Sequence, residues 1–243
     1  TFGSRSIAVD GTATYEATQK VKEKAAAIAA HLLEASAEDV VLADGGAHVA
    51  GSPEKSVSWK AIAKAAYQAH TLPEGMASGL EAQSTFSPGN ATWPFGTHLA
   101  VVEVDPETGD VELLEYHAVD DCGNQVNPMI VNGQVHGGIT QGIGQALFED
   151  AIYDEAGNML TASLLDYLLP TATDVPSFGL HHTVTPTDVN PMGVKGIGEA
   201  GTIGSAHTIV NAVVDALTPM GVKHIDMPLR PKRVWEAMQE ARS

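Results

Sequence analysis

The stretch that most restricts the fold is a pair of alternating apolar runs, 97–105 and 111–116, joined by Pro106-Glu107-Thr108-Gly109-Asp110. Alternation places successive side chains on opposite faces of a strand, and the Pro/Gly/Asp cluster supplies the reversal, so the spacing predicts an antiparallel hairpin. Its inward face is expected to carry Leu99, Val101 and Val102. Val40-Val41-Leu42 and Ala47-His48-Val49 around Asp44-Gly45-Gly46 predict a second hairpin, and Asp154-Glu155-Ala156-Gly157-Asn158 the turn of a third. His181-His182-Thr183-Val184-Thr185 reads as a strand, and one more is expected within the polar, Gly-rich passage from Pro73 to Gly96. Helical spacing marks 11–36 (Val21, Ala25, Ile28, Ala29, Leu32), 58–70 with Ser58 as N-cap, 132–149 (Val135, Ile139, Ile143, Leu147), 205–217 and a terminal helix from Pro231 through Trp235 and Met238. Hairpins outnumber strand–helix–strand units, which gives an α+β fold of mixed sheets with packed helices. The whole of 1–243 reads as one domain, with a division into two subdomains near 95 as the alternative.

Charge and cysteine usage exclude several functions. With 13 Lys and Arg against 30 Asp and Glu, the net charge of −17 leaves no footprint for nucleic acid or an anionic membrane surface. No apolar run reaches the roughly 18 residues of a membrane span, and no signal-peptide pattern opens the sequence, so a cytoplasmic protein is expected. The single cysteine, Cys122, rules out an internal disulfide or an iron–sulfur cluster held by this chain alone. Thr1-Phe2-Gly3-Ser4-Arg5-Ser6 looks like the middle of a motif, which suggests a fragment or a processed subunit.

The chemistry concentrates in Gly193-Val194-Lys195-Gly196-Ile197-Gly198-Glu199-Ala200-Gly201. Glycines this dense mean unusual backbone angles or a ligand close to the main chain. A lone Glu199 with Ile197 and Ile203 as neighbours is a candidate general base, and a helix-entry loop with a solvated Glu is the other reading. Residues 196–201 also satisfy G-x-G-x-x-G, but Val189-Asn190-Pro191-Met192-Gly193 is a poor strand to lead into a dinucleotide site. His181-His182 has no third ligand at a recognisable spacing, and adjacent strand residues face opposite ways; no metal ligand is assigned. His136, His207 and His224 read as surface or satisfied core residues. The turn at Cys122 is compatible with a buried small residue or with backbone N–H groups offered to an anion. Gly137, Gly138, Gly142 and Gly144 inside one helix require a close neighbour, backbone or ligand, to offset their low propensity. Three Gly-bearing polar stretches, 3–6, 122–144 and 195–201, together suggest a phosphate-bearing cofactor gripped by the main chain.

Four segments carry a resemblance: TFGSRS, DDCGNQVNPMIVNGQVHGGITQGIGQAL, DYLLPTATDVP and GVKGIGEAGTIGS with NAVVDAL after it. In this order they resemble the C-terminal part of the molybdenum-binding large subunit of the xanthine dehydrogenase / aldehyde oxidase / aerobic carbon monoxide dehydrogenase family. The resemblance implies a molybdenum hydroxylase that binds molybdopterin, usually in bacteria as the cytosine dinucleotide. Such an enzyme oxidises a C–H substrate (an aldehyde or N-heterocycle) or carbon monoxide with water as oxygen source. Its electrons pass to [2Fe–2S] clusters and FAD on partner subunits, a division of labour that suits the single cysteine. The implied partners are the N-terminal part of the large subunit, an iron–sulfur subunit, an FAD subunit and a small-molecule substrate. By motif match Glu199 takes the position of the family's active-site base. The same match places Gly3, Ser4, Arg5 and Ser6, then Cys122, Gly123, Asn124, Asn127 and Gln134, then Lys195, Gly196 and Gly198, around the pterin and its phosphates. Cys122 does not match the copper-binding cysteine of the carbon monoxide branch. A non-catalytic cofactor-domain fragment or assembly module, and a nicotinamide dehydrogenase using 196–201, are the competing readings.

Overall fold

In a computed structural model describing residues 2–242, the chain forms two compact units, Val9–Ser87 and the remainder, which runs up to Ala8 and resumes at Pro88. The smaller unit contains α1 (Thr12–Leu33), β1 (Val40–Ala43), β2 (Gly46–Val49), β3 (Ser52–Ser58) and α2 (Trp59–Ala66). The three strands pair antiparallel in sequence order. Ile28 and Ala29 of α1 pack with Ala47 of β2 and with Ile62 and Ala66 of α2. Ser58 caps α2 as expected, its hydroxyl accepting the Ala61 N–H at 3.3 Å. The buried stripe of α1 ends on Leu33 and not Leu32, which is 38% exposed. Strand β3 escapes sequence reading because Ser52-Pro53-Glu54-Lys55-Ser56-Val57-Ser58 has no apolar alternation; its place comes from backbone pairing at a sheet edge. No strand forms between Pro73 and Pro94.

The larger unit is built on β4 (Phe95–Val104), β5 (Val111–Asp121) and β6 (Phe178–Thr183). The first two form the expected hairpin, and β6 adds parallel to β5, making the sheet mixed. The inward face of β4 is Ala100, Val102 and Val104, whereas Leu99 and Val101 are 60% and 41% exposed. That inward phase runs unbroken along β4, the bulge opposite Val101 and Val102 placing its extra residue, Leu114, on β5; with a side-chain period of two, reading the phase one residue off exchanges the two faces.

Helix α3 (Pro128–Ile143) and α4 (Ala200–Leu217) pack together, and α4 lies on β4; α5 (Pro231–Arg242) closes the unit with Val234 and Met238 buried. Val135, Ile139, Ile143 and Leu147 all enter the core, with a wider helical turn over Gly144–Phe148 after α3. The glycines of α3 divide into two sets. A Cβ on Gly138 would lie 2.9 Å from Gly201 Cα, and one on Gly142 would strike the Ser205 side chain. Close approach of α4 is thus what offsets the roughly 1 kcal/mol each glycine costs a helix. Gly133 and Gly137, by contrast, face open space. Among the described residues no helix is long and apolar enough to cross a membrane.

Candidate active site

Helix α4 begins five residues earlier than its periodicity predicts, and Glu199 stands at its N-terminal boundary. The two readings of the glycine-rich loop therefore merge, since the carboxylate sits where the loop becomes the helix. Its partner comes from the other end of the sequence. The Ser4 hydroxyl accepts the Glu199 N–H at 2.9 Å and donates to Glu199 Oε2 at 2.9 Å. One hydroxyl thus satisfies an orphan helix-start N–H and holds the side chain of the same residue. Ser4 has φ +52, directly after Gly3 at φ +62. That left-handed conformation costs a residue with a Cβ roughly 1–2 kcal/mol, so surrounding contacts have to impose it. Gly196 supplies one, because a Cβ there would collide with the Ser4 carbonyl oxygen. A Cβ on Gly198 would lie 3.2 Å from Gln134 Oε1 and 3.3 Å from Ser4 Oγ. Three segments far apart in sequence therefore meet around Gly198, the residue before Glu199.

The other end of the loop is anchored in the core. Lys195, 6% exposed, places Nζ 2.8 Å from Oδ1 of the fully buried Asp121 and 4.3 Å from the centroid of the Phe95 ring. The Gly123 N–H also donates to Asp121 Oδ1, at 2.9 Å, and Thr183 Oγ1 donates to Oδ2 at 2.8 Å. Burial alone would raise the pKa of Asp121 and favour its neutral form. The Lys195 ammonium, the Gly123 N–H and the hydroxyls of Thr185 and Thr183 outweigh it and hold the carboxyl well below the usual carboxylate range. Beside it the main chain forms a short antiparallel bridge: Lys195 N–H donates to Cys122 O at 2.7 Å, and Asn124 N–H to Gly193 O at 3.0 Å. Gly123 has φ +68, and a Cβ there would strike Gly193 O, so both backbone conformation and clearance require glycine.

These bonds correct several expectations. The N–H groups of Gly123 and Asn124 are committed inside the protein and do not form an anion nest. Cys122 is the buried small residue of the alternative reading, its thiol pushed up by burial and then by the Asp121 charge. The Lys195 charge is directed at Asp121, not outward. Asn127 caps α3, its side-chain oxygen accepting the Ile130 N–H at 3.2 Å. The Asn124 side-chain N–H group donates to Met192 O at 2.8 Å. No strand precedes Gly196, and Gly201 abuts Val135 O of α3, as a helix-packing residue does. Of the apolar neighbours expected for Glu199, Ile197 is buried whereas Ile203 is 64% exposed, and Glu199 itself is exposed. His181 and His182 face opposite ways, the latter with Nε2 2.7 Å from Asn132 Oδ1. Among the described residues no group of three or more His, Cys, Asp or Glu side chains is arranged to hold a metal ion.

What lies at the surface is a coherent set. Gly3, Arg5, Ser6, Gln134, Gly198 and Glu199 are exposed, and Ser4 is half-buried. The Arg5 guanidinium lies 4.0 Å from the Phe2 ring centroid, so its stacked position leaves its edges available to an anion. Bare backbone at Gly133 and Gly137 flanks the Gln134 amide on α3. One cation, one carboxylate, a hydroxyl, an amide and unshielded backbone fit a flat polar heterocycle carrying phosphate. Asp121 and Thr183 are the residues sequence reading missed. The Asp120-Asp121 pair was visible, but nothing in its spacing points to Lys195, 74 positions on.

A family model described as the molybdopterin cofactor-binding domain matches residues 1–176. The carbon monoxide dehydrogenase large chain of Hydrogenophaga pseudoflava is 43% identical over 99% of this chain and 30% of its own length. The nicotine 6-hydroxylase large subunit of Paenarthrobacter nicotinovorans is 41% identical over 98% of the chain and 29% of its own length. Among solved structures, a Cu,Mo-CO dehydrogenase superposes with a TM-score of 0.91 at 40% identity, covering 99% of this chain and 30% of that one. Quinoline 2-oxidoreductase from Pseudomonas putida 86 gives 0.90 at 42% identity, covering 99% and 31%. The chain belongs to the molybdopterin cofactor-binding domain family, with the α+β fold of the molybdenum subunits of such oxidoreductases. It spans about 30% of the length of these relatives.

Proposed function

We propose that this chain forms part of the active site of a molybdenum hydroxylase, with Glu199 as the general base. The observation that carries the reading is the hold of Ser4 on one exposed carboxylate, Glu199, with Gln134 beside Gly198 in the same loop. Gly3, Ser4, Arg5, Ser6, Gln134 and Gly198 would hold molybdopterin, as the cytosine dinucleotide, with Arg5 meeting its phosphate. When bound, that group supplies the two-electron chemistry and the water-derived oxygen. Glu199 would accept a proton at its carboxylate, the role of a general base. Lys195, Asp121, Gly123 and Asn127 hold the loop and α3 in place and do not touch the ligand.

The relatives' names span carbon monoxide, nicotine and hypoxanthine, so the substrate is proposed only as carbon monoxide or a small aldehyde or N-heterocycle. Iron–sulfur and FAD subunits are proposed to carry the electrons away. In the holoenzyme, assayed with an artificial acceptor against carbon monoxide, nicotine, quinoline and hypoxanthine, Glu199→Gln should lower kcat by about 10²–10⁴-fold. Turnover within about tenfold of the parent, with molybdenum still bound, would remove Glu199 from this role. The exposure of Glu199 favours one further point, that the remainder of a large subunit completes the pocket. Metal analysis of the 243-residue chain by itself should then find no stoichiometric molybdenum.

A further inference from the structure

We propose that Ser4 is a positioning residue for Glu199: its hydroxyl fixes the carboxylate in one rotamer and leaves Oε1 as the oxygen that exchanges a proton. This rests on the reading of Glu199 as the base. A glutamate side chain has three rotatable bonds, and in solvent it samples many orientations. Here Oε2 accepts the Ser4 hydroxyl proton at 2.9 Å, while the same oxygen of Ser4 accepts the Glu199 N–H at 2.9 Å. The two bonds close a ring through the side chain of Glu199, so Oε2 cannot swing away without breaking one of them. The ring also assigns the two carboxylate oxygens different tasks, one held and one available.

The backbone shows that the hydroxyl, and not merely a turn, is being placed. Ser4 occupies a left-handed conformation in which Gly or Asn is the easier residue. Gly196 lies against the Ser4 main chain with no room for a Cβ, and Ser4 Oγ and Gln134 Oε1 both lie beside Gly198. The glycines let the loop wrap around Ser4 closely enough for its short side chain to reach both groups of Glu199. A serine present only to contact a bound pterin would not need its hydroxyl engaged on both sides by the same residue.

In the holoenzyme, Ser4→Ala should lower kcat about ten- to a hundredfold, the size expected when a reacting group loses its alignment. KM should stay within about twofold, with kcat taken per bound molybdenum so that any loss of cofactor is counted apart from the loss of alignment. Ser4→Gly, which also relieves the left-handed backbone, should show the same loss and so separates the hydroxyl from folding. In a Glu199→Gln background, Ser4→Ala should add less than about a twofold loss, since a residue acting through Glu199 has nothing left to act on. A full additional loss in that background, or wild-type kcat in both single variants, would overturn the proposal. Glu199→Gln retaining near-parental turnover would instead overturn the base assignment on which it rests. A crystal structure of the Ser4→Ala holoenzyme gives a reading independent of turnover. Glu199 should occupy more than one rotamer with Gly196–Gly198 unmoved, and a single unchanged carboxylate position would overturn the positioning role.

Discussion

Two carboxylates are held at opposite ends of one short loop, and they are held in opposite ways. Asp121 is fully buried and meets an ammonium, a backbone N–H and a threonine hydroxyl around Lys195. Glu199, four residues beyond Lys195, is exposed and meets the Ser4 hydroxyl. The first arrangement exhausts the carboxylate; the second holds one oxygen and leaves the other. A loop can therefore be anchored at its base and open at its tip without any change in residue chemistry, because burial and partner count decide which carboxylate has capacity left.

Breaking the buried end should have the larger effect on stability. Lys195→Met leaves Asp121 charged and unpaired in the core, and should cost about 3–5 kcal/mol by chemical denaturation. Little change would mean that Lys195 serves a ligand and not the fold. The pH dependence sharpens the contrast. In the parent, the depressed Asp121 contributes stability that is fully present above about pH 4 and is lost as pH falls through its lower folded value. In Lys195→Met the Gly123 N–H and the threonine hydroxyls remain but the counter-charge is gone, so the carboxyl takes up a proton at higher pH than in the parent. The gap between variant and parent should therefore narrow as pH falls from 7 toward about 4.

The exposed end predicts a smaller, graded response. Gly196→Ala pushes against the Ser4 backbone and should cost about 1–3 kcal/mol, whereas Gly198→Ala meets only the side-chain ends of Ser4 and Gln134 and should cost less. Equal effects would mean the loop yields as one piece. Smallest of all, Asn127→Ala should lower stability by about 1 kcal/mol through the lost cap of α3, with molybdenum content unchanged. Loss of molybdenum without loss of stability would return Asn127 to the ligand.

Local features of the fold were legible in the sequence. The Pro106–Asp110 turn, the Ser58 cap, the apolar stripe of α3 and the proline start of α5 are short-range effects that a linear reading captures. The face of β4 was read one residue out of phase at Leu99 and Val101, because large apolar residues occupy both phases of the strand and the inward one includes the small Ala100. The early start of α4 was hidden by Gly201 and Gly204, which depress helix propensity for the sake of packing against neighbours. The site was legible only as separate glycine-rich stretches. Ser4 and Glu199 lie 195 positions apart, and Asp121 and Lys195 are joined through the core, so periodicity cannot pair them. Family resemblance grouped segments that the fold brings together around Gly198 and Glu199, yet it could not separate exposed residues from those committed to internal hydrogen bonds.

The contact between Gly138 and Gly201 has a consequence for how such a protein can change. Backbone against backbone has no rotamers to rearrange, so a methyl group added there cannot be absorbed locally and must push the helices apart. Gly201 is two residues from Glu199, about 3 Å along the helix axis. Mutational drift at this crossing is thus transmitted almost directly into the position of the carboxylate, while drift at Gly133 or Gly137 is not. The tolerance of the chain to substitution is set by which glycines are in contact and which are not.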